Sequence, residues 1–372
     1  MAHNIDETTG QAAIAFQGSR DDIWHRMGQQ AEPGWSVDQW AAGARLNWTA
    51  HKVPALADCT NLERIAGHKR VDGGRFLVRS DTGHVLGYVS DRYQPVQPRD
   101  VLEWFQRYIE VDPRFQLDVA GALKSGEIIW ATATFAGGNG SEMGAGGGSG
   151  NWNVAGDTHT ARLLMTTTFD GTGSTINRAT MTRVVCNNTL NAAMADRAKS
   201  VVRTRHSTKF NPTVVGAELS RIVSGFGAYK QMGEAMAQVH VAADMVGRLF
   251  KTVLEIPFDA KPADVSKRKM SQYEELSQAW SVTRRERNES LDGATAWTAL
   301  NAVTRYADHV KSARGEGVDS SEKRFLSANF GGSGEKLKAS AIEALRDMCA
   351  DAPSSLFQKW LSDQKTISKI DA

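Results

Sequence analysis

The spacing of apolar residues changes once along this chain, close to Asn211-Pro212, and this change restricts the folds open to it. Before that point, short apolar runs separated by turn residues are typical of β-strands. After it, apolar residues recur at the spacing of amphipathic helices. The sequence therefore predicts an α+β fold, with an antiparallel sheet and short helices followed by an α-helical C-terminal part.

The first part contains a hairpin signature, because strand-type runs flank the turn residues 80–83. Pro98 marks a helix start, and Ser36 is a predicted N-cap. Further strands are predicted over 115–119, 127–135, 161–169 and 175–185, with a short helix over 187–195. This order resembles the β-β-β-α core of phage single-strand annealing proteins, a likeness of fold alone.

A glycine-rich segment at 136–158 interrupts the strands, and its composition predicts a flexible hairpin loop because ordering so many glycines costs much entropy. It lacks the pattern of a phosphate-binding P-loop. Trp152 stands inside it without periodic neighbours. Two readings are open for Trp152, an anchor for the loop or an exposed platform for base stacking.

The second part opens with a predicted long amphipathic helix over 215–250, suited to packing within the chain or between subunits. A homo-oligomer formed through this helical region is expected. Residues 261–287 are a highly charged helix or linker, and further helical segments are predicted over 294–310, 335–349 and 356–370.

Three regions follow from these patterns: a mobile leader at 1–20, an α+β domain at 21–210 and a helical region at 211–372. No apolar run is long enough for a membrane helix, and the start does not resemble a signal peptide, so a cytoplasmic protein is expected. The three cysteines are far apart and predict neither a disulfide framework nor a zinc site.

The net charge of +2 conceals an uneven distribution. Residues 162–209 hold eight basic residues and two aspartates, eight minus two giving +6, so the remaining chain is acidic. Such a segment can follow a phosphate backbone, and it can equally be a solvated basic face or an anchor for acidic helices. The predicted nucleic-acid-binding residues are Arg162, Arg178, Arg183, Asn187, Asn188, Arg197, Lys199, Arg203, Arg205 and Lys209.

Strand alternation complicates a single DNA-facing surface, because it places Arg178 and Arg183 on opposite faces unless a bulge intervenes. Thr166 and Thr168 are candidates for neutral hydrogen bonds to phosphate or sugar.

Catalytic signatures are weak, and no catalytic residue, metal or cofactor is predicted. The histidines are scattered without metal-ligand spacing. Cys186 lacks an identifiable base and is read as structural. An enzyme would need a pocket that gathers His84, Asp91, Arg92 or Cys186.

Three strings occur together in order: GYVSDRY at 87–93, TRVVCNNTLNA at 182–192 and LNAVTRYADH at 300–309. With FGGSGEKLKA at 330–339, and with Trp24 and Gly28, they resemble the phage/plasmid-like protein family catalogued as domain of unknown function 932. The resemblance covers about residues 20 to 350 and implies a bacteriophage, prophage or plasmid setting in a bacterial host cell, without an activity. The glycine-rich loop departs from the family pattern as an insertion.

Charge and resemblance together predict a DNA-binding accessory for recombination or single-strand annealing, with single-stranded DNA as partner and without catalysis. The alternative is a protein-interaction or host-defence-modulating factor that uses the 215–250 helix and the N-terminal tryptophans as its surface.

Overall fold

The computed structural model describes residues 5–17, 27–61, 67–136, 151–169, 175–183, 187–189, 201–204, 212–311, 327 and 332–370. Packing divides the chain into two compact units. Unit 1 comprises Met1–Thr134, Leu163–Arg178 and Val202–Leu219, and unit 2 comprises Phe135–Arg162, Ala179–Val201 and Ser220–Ala372. The predicted α+β class with a helical C-terminal part is confirmed. No helix within these described ranges is long and apolar enough to cross a membrane.

The described strands form two sheets. They are β1 (Ile14–Phe16), β2 (Gln29–Gln30), β3 (Ala50–Asp58), β4 (His68–Arg79), β5 (Val85–Ser90), β6 (Phe115–Leu123), β7 (Ile128–Phe135), β8 (Asn151–Val154), β9 (Asp157–Thr168), β10 (Thr175–Arg183), β11 (Asn187–Thr189) and β12 (Val201–Thr204). The larger sheet has the order β11-β10-β9-β7-β6-β1-β2, with β12 paired to β10 and β8 to β9. The smaller sheet has the order β3-β4-β5 and is antiparallel.

Residues close in sequence determine where the helices of unit 1 begin. Helix α1 (Val37–Gly43) begins after Ser36, whose hydroxyl accepts from the Gln39 amide at 3.3 Å, while the Gln39 side chain accepts from the Ser36 amide at 2.8 Å. This reciprocal pair is a capping box, and the predicted N-cap is confirmed. Helix α2 (Pro98–Val111) begins at the predicted proline and buries its apolar stripe. Both helix starts follow from residues within one turn of them.

The predicted leader at 1–20 is wrong where the structure describes it. Strand β1 is buried and pairs antiparallel with β6 and parallel with β2. Gly28 permits the close approach, because it has a φ of +90° and a Cβ there would lie 2.3 Å from Ile14 Cγ2. An apolar run of three residues has no detectable period, so only its partner strands define it.

Unit 2 is built around one buried helix. Its helices are α3 (Pro212–Met236, from Ser220 onward), α4 (Ala243–Val253), α5 (Lys267–Glu286), α6 (Ala296–Arg305), α7 (Ser333–Met348) and α8 (Ser355–Ile370). Helix α6 is buried from Ala296 to Thr304 and packs against α5 and α7. Its polar side chains are satisfied internally, since Asn301 Nδ2 donates to the Trp297 carbonyl at 3.0 Å.

The predicted continuous helix over 215–250 is wrong, because residues 237–242 separate α3 from α4. In that break, the Val241 amide donates to the Ala294 carbonyl and the Ala296 amide donates to the Val239 carbonyl. His240 and Thr295 form an isolated antiparallel bridge. This pairing with a distant segment replaces helical hydrogen bonds, which an apolar period cannot reveal.

Two other elements differ from prediction. The last part of the predicted loop at 136–158 is ordered: Ala155 and Gly156, with φ of 51° and 84°, form the two-residue turn between β8 and β9. The start of the predicted helix over 187–195 is strand β11, paired with β10. Residues 137–150 and 190–195 of these two predictions lie outside the described ranges.

Candidate nucleic-acid interface

Strand pairing places parts of the basic segment side by side. Arg162 lies on β9, Arg178 and Arg183 on β10, and Arg203 on β12, which pairs with β10. The hairpin of β10 and β11 sets Asn187 opposite Thr182 and Asn188 opposite Met181. Arg197, Lys199, Arg205 and Lys209 lie outside the described residues. The backbones of these consecutive strands are therefore neighbours in the sheet.

The threonines of β9 do not form the polar surface that the sequence suggested. Thr166 is 4% exposed, so its hydroxyl does not reach a phosphate group at the surface. Thr167 accepts a hydrogen bond from the Thr175 hydroxyl at 3.1 Å inside the protein. The carbonyl of Thr168 accepts from the Tyr93 hydroxyl at 3.1 Å. At these positions, the described part of the basic segment 162–209 therefore belongs to the core.

Trp152 is a core residue, and the reading of it as an exposed stacking platform is wrong. Its side chain is 7% exposed and lies against Phe135 and Phe226, with ring centroids 6.2 and 6.0 Å away. Register sets it opposite His159 on β9. The hairpin of β8 and β9 buries this ring, which agrees with the alternative reading as an anchor.

The residues suggested for an enzyme are not gathered by the described structure. His84, Asp91 and Arg92 are exposed, and the Asp91 carboxylate pairs with Arg75 Nε at 2.6 Å. Cys186 lies outside the described residues. Within those residues, no group of three His, Cys, Asp or Glu is placed to hold a metal ion. Burial raises the pKa of the Cys349 thiol to about 11, which suppresses its thiolate.

A buried polar cluster joins the β8–β9 turn to the helices of unit 2. The Arg287 guanidinium pairs with Asp157 and donates to the Ala155 carbonyl at 3.0 Å. Trp297 Nε1 donates to the same Asp157 carboxylate at 2.9 Å. Because each charge has a partner, the cluster fixes the turn. Sequence reasoning missed it, since no spacing relates residues so far apart.

A second buried pair lies where α6 continues as one π-helical turn, Tyr306–Val310. The Asp308 carboxylate lies 2.6 Å from Lys338 Nζ on α7, and their side chains are 6% and 2% exposed. The sequence predicts a helix over 294–310, and this π-helical turn is its last part. The structure gives Asp308 the task of neutralising a buried lysine.

Unit 1 contains its own buried cation, Arg79 at the end of β4. Its guanidinium contacts Asp6, Asp81 and the Ser125 carbonyl and lies 4.3 Å above the centre of the Trp48 ring. The side chain is fully buried. Nε and Nη2 both donate to Asp81, and Nη1 donates to Asp6 and to the Ser125 carbonyl, so this residue organises the core.

Comparison with known proteins identifies one family. The model of a family described as a domain of unknown function, DUF932, matches residues 85–328. No curated protein and no solved structure matches the chain.

Proposed function

Since the chain belongs to the DUF932 family, whose description assigns no activity, we propose its function from charge and strand pairing. The protein is a non-catalytic DNA-binding accessory of a phage or plasmid, acting in recombination or single-strand annealing in the cytoplasm of a bacterial host. Its principal contact with single-stranded DNA is the basic segment at 162–209.

One observation carries this proposal: the four described arginines of the +6 segment lie on strands of one sheet. In unit 1, Arg178 on β10 has Arg203 on the paired strand β12. In unit 2, Arg162 lies on β9 and Arg183 lies at the end of β10. Neighbouring strands lie about 4.8 Å apart, so arginines on paired strands are close enough to contact the same nucleic acid strand. Cations carried on such strands can neutralise successive phosphates.

The test is a titration of single-stranded DNA into the protein at two salt concentrations. Each phosphate neutralised on a single strand contributes about −0.7 to the slope of log affinity against log salt. Replacing Arg203 and Arg205 together by alanine is expected to weaken binding at low salt and to flatten that slope by about 1.4. The matched control replaces Lys336 and Lys359, exposed cations on α7 and α8, and should leave both quantities unchanged.

Absence of binding at low salt, or binding unaffected by the Arg203→Ala and Arg205→Ala pair, would contradict the proposal. Association of copies through the helical region stays a prediction that sedimentation can test. The apolar side chains of the 215–250 region, which were expected to mediate this association, are partly buried within unit 2. Phe226, Tyr229 and Phe250 are examples.

A further inference from the structure

The three-stranded sheet β3-β4-β5 presents an unusual outward face. On one face, Ala50, Leu77 and Val89 are buried. On the other face, cross-strand pairing aligns Val53, Phe76 and Tyr88 in one row, and His51, Val78 and Val85 in the next. An antiparallel sheet with one face on the core normally carries polar side chains on its other face. Here the outward positions are mostly apolar or aromatic.

Two members of this outward face are well exposed. The Tyr88 side chain is 47% exposed and Val85 is 50% exposed, whereas Phe76 is half-buried. The rings of Phe76 and Tyr88 are 5.4 Å apart in an edge-to-face arrangement. Exposed apolar side chains that are neighbours on one sheet face form a surface on which a ligand can bind, unlike single scattered ones.

The Tyr88 ring is held in place by the backbone of β4. A Cβ on Gly74 would lie 2.0 Å from the Tyr88 hydroxyl oxygen and 2.1 Å from Cζ, so the ring covers a position where only glycine fits. One side of the ring therefore rests on the strand, and nearly half of the side chain stays exposed. An aromatic ring fixed in this way loses little entropy when a base stacks on it.

Cations surround the end of the sheet nearest to Tyr88. Lys69 and Arg70 lie on β4, Arg92 follows β5, and all three are exposed. Lys52 Nζ donates to the carbonyls of Asp91 and Tyr93, each at 3.0 Å.

Among the described residues at this end, carboxylates are fewer. The Asp91 carboxylate is occupied by Arg75, which leaves Asp58 and Asp72 against the four cations named above. The potential at this end therefore favours an anion.

We infer that the outward face of the β3-β4-β5 sheet is a second contact surface for single-stranded nucleic acid, where a base stacks on Tyr88 and phosphates pair with Lys69 and Arg92. A fixed aromatic ring with exposed cations on the same sheet is the combination that binds single strands without reading their sequence. The inference rests on the proposed DNA-binding function and adds a stacking surface to its electrostatic contact.

The test uses fluorescence anisotropy with labelled oligothymidylate of about 16 nucleotides, the upper site size of a small single-strand-binding fold. Tyr88→Leu keeps an apolar strand residue but removes the ring, and it is expected to weaken binding by about 5- to 150-fold, the factor for one stacked base. Tyr88→Phe should stay within about 2-fold of wild type, because the stacking surface remains. Phe258→Leu, at a ring 59% exposed in unit 2, is the matched control and should have no effect.

Gly74→Ala supplies an independent variant, because its methyl group must displace the Tyr88 ring without removing it. It is expected to weaken binding in the same direction as Tyr88→Leu. Photocrosslinking of iodouracil-containing oligonucleotide to the wild-type protein, followed by peptide mass spectrometry, keeps the test valid if a variant misfolds. A crosslink is expected in the peptide that contains Tyr88.

The outcomes separate this inference from the proposed function. If Arg203→Ala with Arg205→Ala abolishes binding while folded Tyr88→Leu binds like wild type, the sheet surface is refuted and the basic segment stands. If only the Tyr88 and Gly74 variants weaken binding, the sheet surface stands and the basic segment does not. Lack of wild-type binding overturns both. If Tyr88→Leu changes only the sedimentation of the protein, the face is a contact between copies and the inference fails.

Discussion

Arg79 allows a stability prediction worked from named contacts. The fully buried guanidinium donates to Asp6 at 2.5 Å and forms a two-point contact with Asp81, at 3.0 and 2.8 Å. Arg79→Met keeps much of the volume but removes the charge. The Asp6 side chain is 2% exposed, so the variant leaves a buried carboxylate without its cation.

The expected loss in the free energy of unfolding is about 3–5 kcal/mol, the usual cost of stranding one member of a buried ion pair. Asp81 adds little to this cost, because its side chain is 33% exposed and water can solvate it. Asp81→Asn alone is therefore expected to cost about 0.2–1 kcal/mol. Urea unfolding followed by circular dichroism measures each value.

The double variant Arg79→Met with Asp6→Asn separates the ion pair from lost packing. Without a charge on either side, the double variant should be more stable than Arg79→Met by about 2 kcal/mol, because replacing both partners of a buried pair is often close to neutral. The reasoning is refuted if Arg79→Met lies within about 1 kcal/mol of wild type, or if the two changes simply add.

Two further predictions concern residues whose roles the structure changes or defines. Trp152→Ala is expected to lower the free energy of unfolding by about 3–5 kcal/mol, because it removes a ring packed on Phe135 and Phe226. The milder variant Trp152→Phe should leave the affinity for DNA unchanged. A large loss of affinity in folded Trp152→Phe would support the stacking role instead. Cys349, whose pKa burial raises to about 11, should resist alkylation at pH 8 while half-exposed Cys59 reacts, as peptide mass spectrometry can measure. Because burial favours the protonated thiol, the contribution of Cys349 to the stability of the fold is fully present below the ordinary cysteine pKa and is lost as pH rises toward 11. Equal reactivity of the Cys349 and Cys59 thiols at pH 8 would contradict the burial of Cys349.

Elements with local causes could be predicted from the order of residues. The Ser36 cap lies within one turn of α1, Pro98 begins α2, and the turn at 80–83 joins β4 to β5. Helical spacing after Asn211-Pro212 correctly located the helical part. Each of these depends on backbone preferences or on neighbours within about four residues, so the order of residues contains the information.

Tertiary structure alone decided the features that depend on distant partners. Strand β1 exists because β6 and β2 pair with it, and the 215–250 helix breaks where residues 294–296 supply alternative hydrogen bonds. Trp152 is buried because a hairpin turns its ring onto Phe226, and Gly74 is required because Tyr88 lies across it. In each case the stabilising free energy comes from contacts between residues far apart in the chain. A pattern of neighbouring residues in the sequence does not contain these contacts.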